Sequence, residues 1–197
     1  MSKESKIYIF KDRPDYIKKI TNDNIFNITG EKGSGKSFLG NLKDKDDNLV
    51  VIHLDPVFTK EGNEYHKYSE ELRNILIKKY GDNLNTTYFE DKYYNEIIKY
   101  LKRKNKTGYI EGGNIAGIKD PSKLVGTVIV KRTGVLKCLL RTIKRDYHNE
   151  YFMKKEIELH GRFAKITRLL KVIKRRKKIL KTFHLIENFI DKLEKGD

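Results

Sequence analysis

Apolar residues along this chain fall into two kinds of run, and their alternation predicts the architecture. "NIFNITG" (residues 24–30) is short, continuously apolar and β-rich, and it ends at glycine, as a buried strand does. "NLVVIHLDP" (48–56) is a second such strand, stopped by Pro56. "GYIEGG" (108–113) and "LVGTVIVKR" (124–132) predict two more. "KIYIF" (6–10) is a short strand candidate, and "DRPDYIKKI" (12–20) reads as one or two helical turns with Pro14 in the first.

Between the strands the period changes to that of a helix. Over 64–104, Leu72, Ile75, Leu76 and Tyr80 share one helical face, closed by Gly81. Tyr93, Ile97, Tyr100 and Leu101 share another, an amphipathic stripe whose tyrosines are also candidates for stacking on a base. "VLKCLLRTIKRDY" (135–147) is helical. So is 156–193, with Gly161 as a break, and its last part spaces Ile179, Phe183, Ile186, Ile190 and Leu193 at 4-3-4-3, a seam for packing on a partner helix. Strands alternating with helices predict an α/β fold with a mostly parallel sheet covered on both faces. No internal repeat is visible, and 197 residues with three prolines and no Gly/Ser-rich run suit one domain.

Charge changes the picture. The net charge is +16, and residues 131–181 carry 18 Lys/Arg against four acids. Such a field attracts phosphates, whether on nucleotides, nucleic acid or anionic lipid. "RLLKVIKRRKKILKTF" (168–183) suits a nucleic-acid arm, an amphipathic helix on a membrane, or a packed helix with a charged outer face. No stretch is long and apolar enough for a transmembrane helix, and "MSKESK" shows no secretory signal. The single cysteine, Cys138, lies among apolar neighbours and reads as a packed side chain; one cysteine permits no intramolecular disulfide, which fits a cytoplasmic setting. The five histidines show no metal-ligand spacing, and His53 reads as packed within a strand.

The sharpest chemical pattern is Gly30-Glu31-Lys32-Gly33-Ser34-Gly35-Lys36-Ser37, followed by Phe38, which fits the Walker A pattern G-x-x-x-x-G-K-[ST] in full. Glycines let successive N–H groups turn inward around phosphate oxygens, and a following helix, expected over 36–42, adds its N-terminal partial charge. The pattern predicts a bound ATP or other NTP, with Lys36 on the β/γ-phosphates and the Ser37 hydroxyl on Mg²⁺. Two acids stand at expected strand ends, Asp55 and Glu111, each a candidate for holding Mg²⁺ or for accepting a proton from an attacking hydroxyl. Gly112 and Gly113 would let a substrate approach the backbone.

With these residues the chain, over 25–159, resembles a small P-loop kinase of the nucleoside/nucleotide-kinase type, similar in layout to adenylate kinases. "YIEGG" stands where those kinases carry an acid and a glycine. The helical stretch before it stands where they hold the phosphoryl acceptor. Arg141 and Arg145 repeat a pair of arginines four apart that enters a mobile lid, and i,i+4 spacing with Lys144 beside it would close three cations over phosphates. The resemblance implies a core over 1–159, with acceptor helices about 57–107 and a lid about 141–159, and a basic helical extension over 160–197 packed on that core. The Pro-Arg that follows the acid-glycine in adenylate kinases and the Asp-Arg pair of thymidylate-kinase relatives are absent. No fifth apolar strand follows the lid, so either "KIYIF" supplies one or the sheet is smaller.

The expected function is an ATP-dependent phosphotransferase acting on a nucleoside, nucleotide or other small metabolite. Mg²⁺ would be held by Ser37 and Glu111, and Asp55 would bind or deprotonate the acceptor. The alternatives are a nucleic-acid-binding NTPase or polynucleotide kinase using the basic segment 131–181, and a module that holds nucleotide without turnover.

Overall fold

The computed structural model describes residues 7–10, 24–36, 47–59, 66–82, 84, 89–174 and 176–195. Five strands, β1 (Ile7–Phe10), β2 (Ile25–Gly30), β3 (Leu49–His53), β4 (Thr107–Glu111) and β5 (Thr127–Lys131), form one parallel sheet in the order β1-β5-β2-β4-β3. The apolar runs became strands because both their faces are buried. Phe26, Ile28, Val51, Tyr109 and Ile129 pack together on one face. Val50, Ile52, Ile110, Val128 and Val130 belong to the larger core on the other. "KIYIF" supplies the fifth strand, pairing in parallel with β5 from Ile7 opposite Val128 to Phe10 opposite Lys131.

The large core is built on the long helices α2 (Lys67–Tyr80) and α3 (Asp91–Lys104). Leu72 and Leu76 are fully buried there, and so, nearly, are Tyr93, Ile97, Tyr100 and Leu101. The tyrosines of α3 are therefore core residues, with Tyr93 edge-on to Phe58 and Tyr80, and they offer no exposed face to a base. One polar residue on the central strand is satisfied within this core. Asn27 Nδ2 donates to the Val125 carbonyl at 2.9 Å, and the Tyr94 hydroxyl donates to Asn27 Oδ1 at 3.0 Å while accepting from the Val125 N–H at 2.9 Å. Burial pushes the Tyr94 phenol up to about 12.

One expectation of the strand bounds needs correction. The run through "HLDP" does not stay extended: β3 ends at His53, and Leu54–Phe58 forms a short helix, α1, so Asp55 lies in a helical first turn and not at a strand end. Pro56 sits at the third position of that helix, where its missing N–H has no helical partner to lose. The basic segment is helical, as α5 (Glu150–His160), a 3-10 turn at Gly161–Phe163, α6 (Ala164–Lys174) and α7 (Arg176–Lys195). Gly161, at φ +50°, makes the break after α5, as expected. The 4-3-4-3 seam of α7 faces its own chain: Ile186 and Ile190, with Phe189, enter the large core, and Ile179 and Phe183 close on Cys138 of α4 (Val135–Tyr147). The helix expected over 12–20 and that over 37–42 lie outside the described residues; Lys36 is helical.

Candidate phosphate-binding site

β2 delivers Gly30 to the carboxyl end of the sheet, between β4 and β5. The chain connection from β4 to β5 crosses over β2, so the loop after β2 opens at the point where strand order reverses, the usual ligand crevice of an open α/β sheet. The loop is tight. The Ser34 N–H donates to the Glu31 carbonyl at 3.0 Å, and Gly33 and Gly35 take φ of +87° and +95°, a region that side chains disfavour. Gly33 also abuts α4: a Cβ there would stand 2.7 Å from Thr142 Oγ1 and 2.8 Å from the Cys138 carbonyl.

Distant parts of the chain clasp this loop. Thr133 Oγ1 donates to the Ser34 carbonyl at 3.0 Å, and the Lys32 N–H donates to Thr182 Oγ1 of α7 at 3.3 Å. Arg141 Nη1 reaches the Gly33 carbonyl at 3.5 Å. The Glu31 carboxylate is fully buried and meets Arg132 Nε at 2.5 Å, and Arg132 extends on to Glu187 of α7 at 3.6 Å. Burial raises the pKa of Glu31; the Arg132 guanidinium opposes that without reversing it. Burial likewise raises the Cys138 thiol, and the nearby Glu31 adds to the effect, so Cys138 is a packed side chain as the sequence implies.

The remaining candidates divide. Lys36 is helical and its side chain crosses toward the segment after β4, its Cε 3.9 Å from where a Cβ of Gly113 would stand. Lys36 thus lies in van der Waals reach of Gly113. Gly112 makes room for Leu54, whose side chain would meet a Cβ there at 2.7 Å, and its N–H donates to the Ile28 carbonyl at 3.1 Å. Glu111 and His53 are register neighbours on β4 and β3, and His53 Nδ1 lies 3.1 Å from Glu111 Oε2, both side chains almost buried. The His53 ring in turn lies 4.0 Å from that of His66. Asp55 is exposed in the first turn of α1. Ser37 and Phe38 lie outside the described residues. Among the described residues no group of three or more His, Cys, Asp or Glu side chains could hold a metal ion.

Arg141, Lys144 and Arg145 are brought together with His148, and the four line an open depression of about 500 Å³. Within it Arg145 is anchored by its neighbour, its Nε and Nη2 donating to Asp146 Oδ1 at 3.2 and 3.1 Å. Arg141 faces the loop and Arg145 is held by Asp146; the two cations sit on one helix face but have different partners. Sequence reasoning passed over Arg132 and Thr182. No local signal in the sequence points to Arg132 as the partner of Glu31, since Lys32 and Lys36 are nearer in the chain, and none points to Thr182.

The site therefore offers strained glycine backbone, a lysine, an arginine on the loop and further cations beside it, at a crevice of the sheet. Neither a protein-family model nor a curated protein matches the chain.

Proposed function

We propose that the chain is a P-loop phosphotransferase that uses ATP, or another NTP, with Mg²⁺, on a nucleoside, nucleotide or other small metabolite. The observation that carries the reading is the loop from Gly30 to Lys36. Its three glycines at positive φ, Gly30, Gly33 and Gly35, hold the backbone in a region that glycine favours, and a glycine-rich loop of this pattern suits an anion of the size of a phosphate. Lys36, beside Gly113, is in reach of the β/γ-phosphates of a nucleotide seated there. The all-parallel sheet and the place of β2 within it are in line with a three-layer P-loop NTPase fold.

In this reading Gly30 to Ser37 and Phe38 bind the nucleotide. Ser37 and Glu111 would hold Mg²⁺, which would supply positive charge against the phosphates. His53 holds the Glu111 carboxylate in place. Asp55, open to solvent, receives the acceptor. Arg141 and Arg145, with Lys144, supply positive charge to the transferring group, where preorganised cations act most strongly. Residues 57–107 would hold the acceptor, 141–159 would be the lid, and 160–197 the basic extension. A cytoplasmic setting goes with a reduced Cys138.

The exposed cations of residues 131–181 favour a second reading, an NTPase or polynucleotide kinase acting with nucleic acid. One assay separates the two. ADP release from Mg-ATP is measured with no acceptor, with nucleosides, nucleotides, sugars and alcohols, and with single-stranded DNA and RNA, against a Lys36→Ala background. Stimulation by a small molecule, with its phosphorylated product detected, supports the kinase. Stimulation by nucleic acid without such a product overturns it, as does Lys36→Ala turnover equal to that of the parent.

A further inference from the structure

The hairpin of α5 and α6 buries charged side chains and leaves large aliphatic ones outside. α6 buries Ala164, Arg168 and Val172. The Arg168 guanidinium, 1% exposed as a residue, lies over the Phe152 ring at 4.7 Å and donates to the Asp146 carbonyl. Across the hairpin, buried Glu156 accepts from Lys171 Nζ at 2.7 Å and from Thr167 Oγ1 at 3.2 Å. The apolar residues go outward. Ile166, Leu169, Leu170 and Ile173 are 59, 42, 53 and 38% exposed, and their i, i+3, i+4, i+7 spacing places them in one stripe. Phe163, at the turn that opens α6, is 54% exposed.

A stripe of four large aliphatic side chains beside an aromatic one marks a surface that something apolar covers. Its surroundings narrow the choice. Lys165 and Lys174 are exposed and stand one turn from Leu169 and Leu170, and residues 150–181 carry 12 Lys/Arg against three acids. A second copy would bring equal positive fields face to face. A nucleic acid would answer the charge and leave the aliphatic stripe in water. An anionic bilayer answers both, acyl chains for the stripe and headgroup phosphates for the cations.

We propose that the α5–α6 hairpin docks on the surface of an anionic lipid bilayer, with Ile166, Leu169, Leu170 and Ile173 set at the acyl boundary and Lys165 and Lys174 on the headgroups. The docking is peripheral: among the described residues no helix is long and apolar enough to cross a membrane. It does not depend on turnover at the glycine loop.

The test is co-sedimentation of the full chain with vesicles of phosphatidylcholine alone and of phosphatidylcholine mixed with phosphatidylserine. The companion is the triple variant Ile166→Ser, Leu170→Ser, Ile173→Ser, which alters exposed positions only and is checked for an unchanged circular dichroism spectrum. The expected result is binding to the mixed vesicles that falls about tenfold when phosphatidylserine is left out and about tenfold again in the variant. No binding to the mixed vesicles overturns the proposal. So does equal binding by parent and variant, which would be charge attraction alone. A parent that sediments as a dimer and a variant that sediments as a monomer would assign the stripe to a second copy instead, and single-stranded DNA binding lost in the variant would assign it to nucleic acid.

Discussion

The helices on the two sides of the glycine loop obey opposite rules. α3 turns Tyr93, Tyr94, Ile97, Ile98, Tyr100 and Leu101 inward and shows lysines to water. α4 buries Cys138, Thr142 and Asp146, and α6 buries Ala164, Arg168 and Val172, while Leu136 and Leu140 of α4 stand 70 and 59% exposed. The first arrangement is what hydrophobic burial alone would select. The second spends stability on burying charge and leaving apolar surface in solvent. α3 holds the fold together; α4 and α6 keep part of their apolar surface free of it.

That contrast can be broken experimentally, and the largest effect belongs to the site. Lys36→Ala should reduce phosphoryl transfer by roughly 1,000-fold, to background, with the thermal midpoint unchanged within about 2 °C; steady-state ADP release and a melting curve check both halves. Arg145→Ala comes next, with kcat lowered roughly 100-fold and nucleotide affinity little changed, because the charge matters most as the phosphoryl group leaves. A normal kcat would remove α4 from the catalytic reading.

Stability should show the reverse ranking between helices. Ile97→Ala in α3 should cost about 2–5 kcal/mol in denaturant unfolding, since it empties fully buried volume. Ile166→Ala in α6 should stay within about 0.5 kcal/mol, as exposed substitutions do. Equal costs would mean that the α6 stripe is covered within the folded chain.

The smallest effect is acid loosening of the hairpin. Lys171, then Thr167, hold the Glu156 carboxyl below its ordinary value near 4.5. A carboxylate with a depressed folded pKa contributes stability that is present above the ordinary value and is lost as pH falls through the folded one. Glu156→Gln should therefore lower the thermal midpoint slightly at pH 7, where the charged carboxylate contributes, and flatten its fall below about pH 4.5, where parent and variant converge. Glu96 of α3, held low first by Lys79, should show the same sign.

The strands were legible because a strand buried on both faces leaves a continuous apolar run that little else imitates. α1 was hidden by its own composition: Leu54 prolongs the run of β3, and Pro56 is as consistent with a first helical turn as with a stop. The glycine loop was legible as a pattern, and Gly33 and Gly35 adopt the φ that only such residues take readily. Its supports were not. The pairing of Glu31 with Arg132 and that of Glu111 with His53 depend on sheet register, which no local periodicity encodes. The inversion of α6 was illegible for a related reason. Spacing shows that Ile166, Leu169, Leu170 and Ile173 share a face but not whether that face meets the core.

The bond between the Lys32 N–H and Thr182 spans 150 residues. A ribosome makes the glycine loop 150 residues before it delivers Thr182. Long-range closures of this kind come late and slowly in folding. A nascent chain halted before α7 would carry the whole Gly30–Ser37 motif and none of the Thr182 and Glu187 contacts that brace it. Any ligand affinity of the loop would then report the arrival of α7, an inspection of one part of the chain carried out at another 150 residues away.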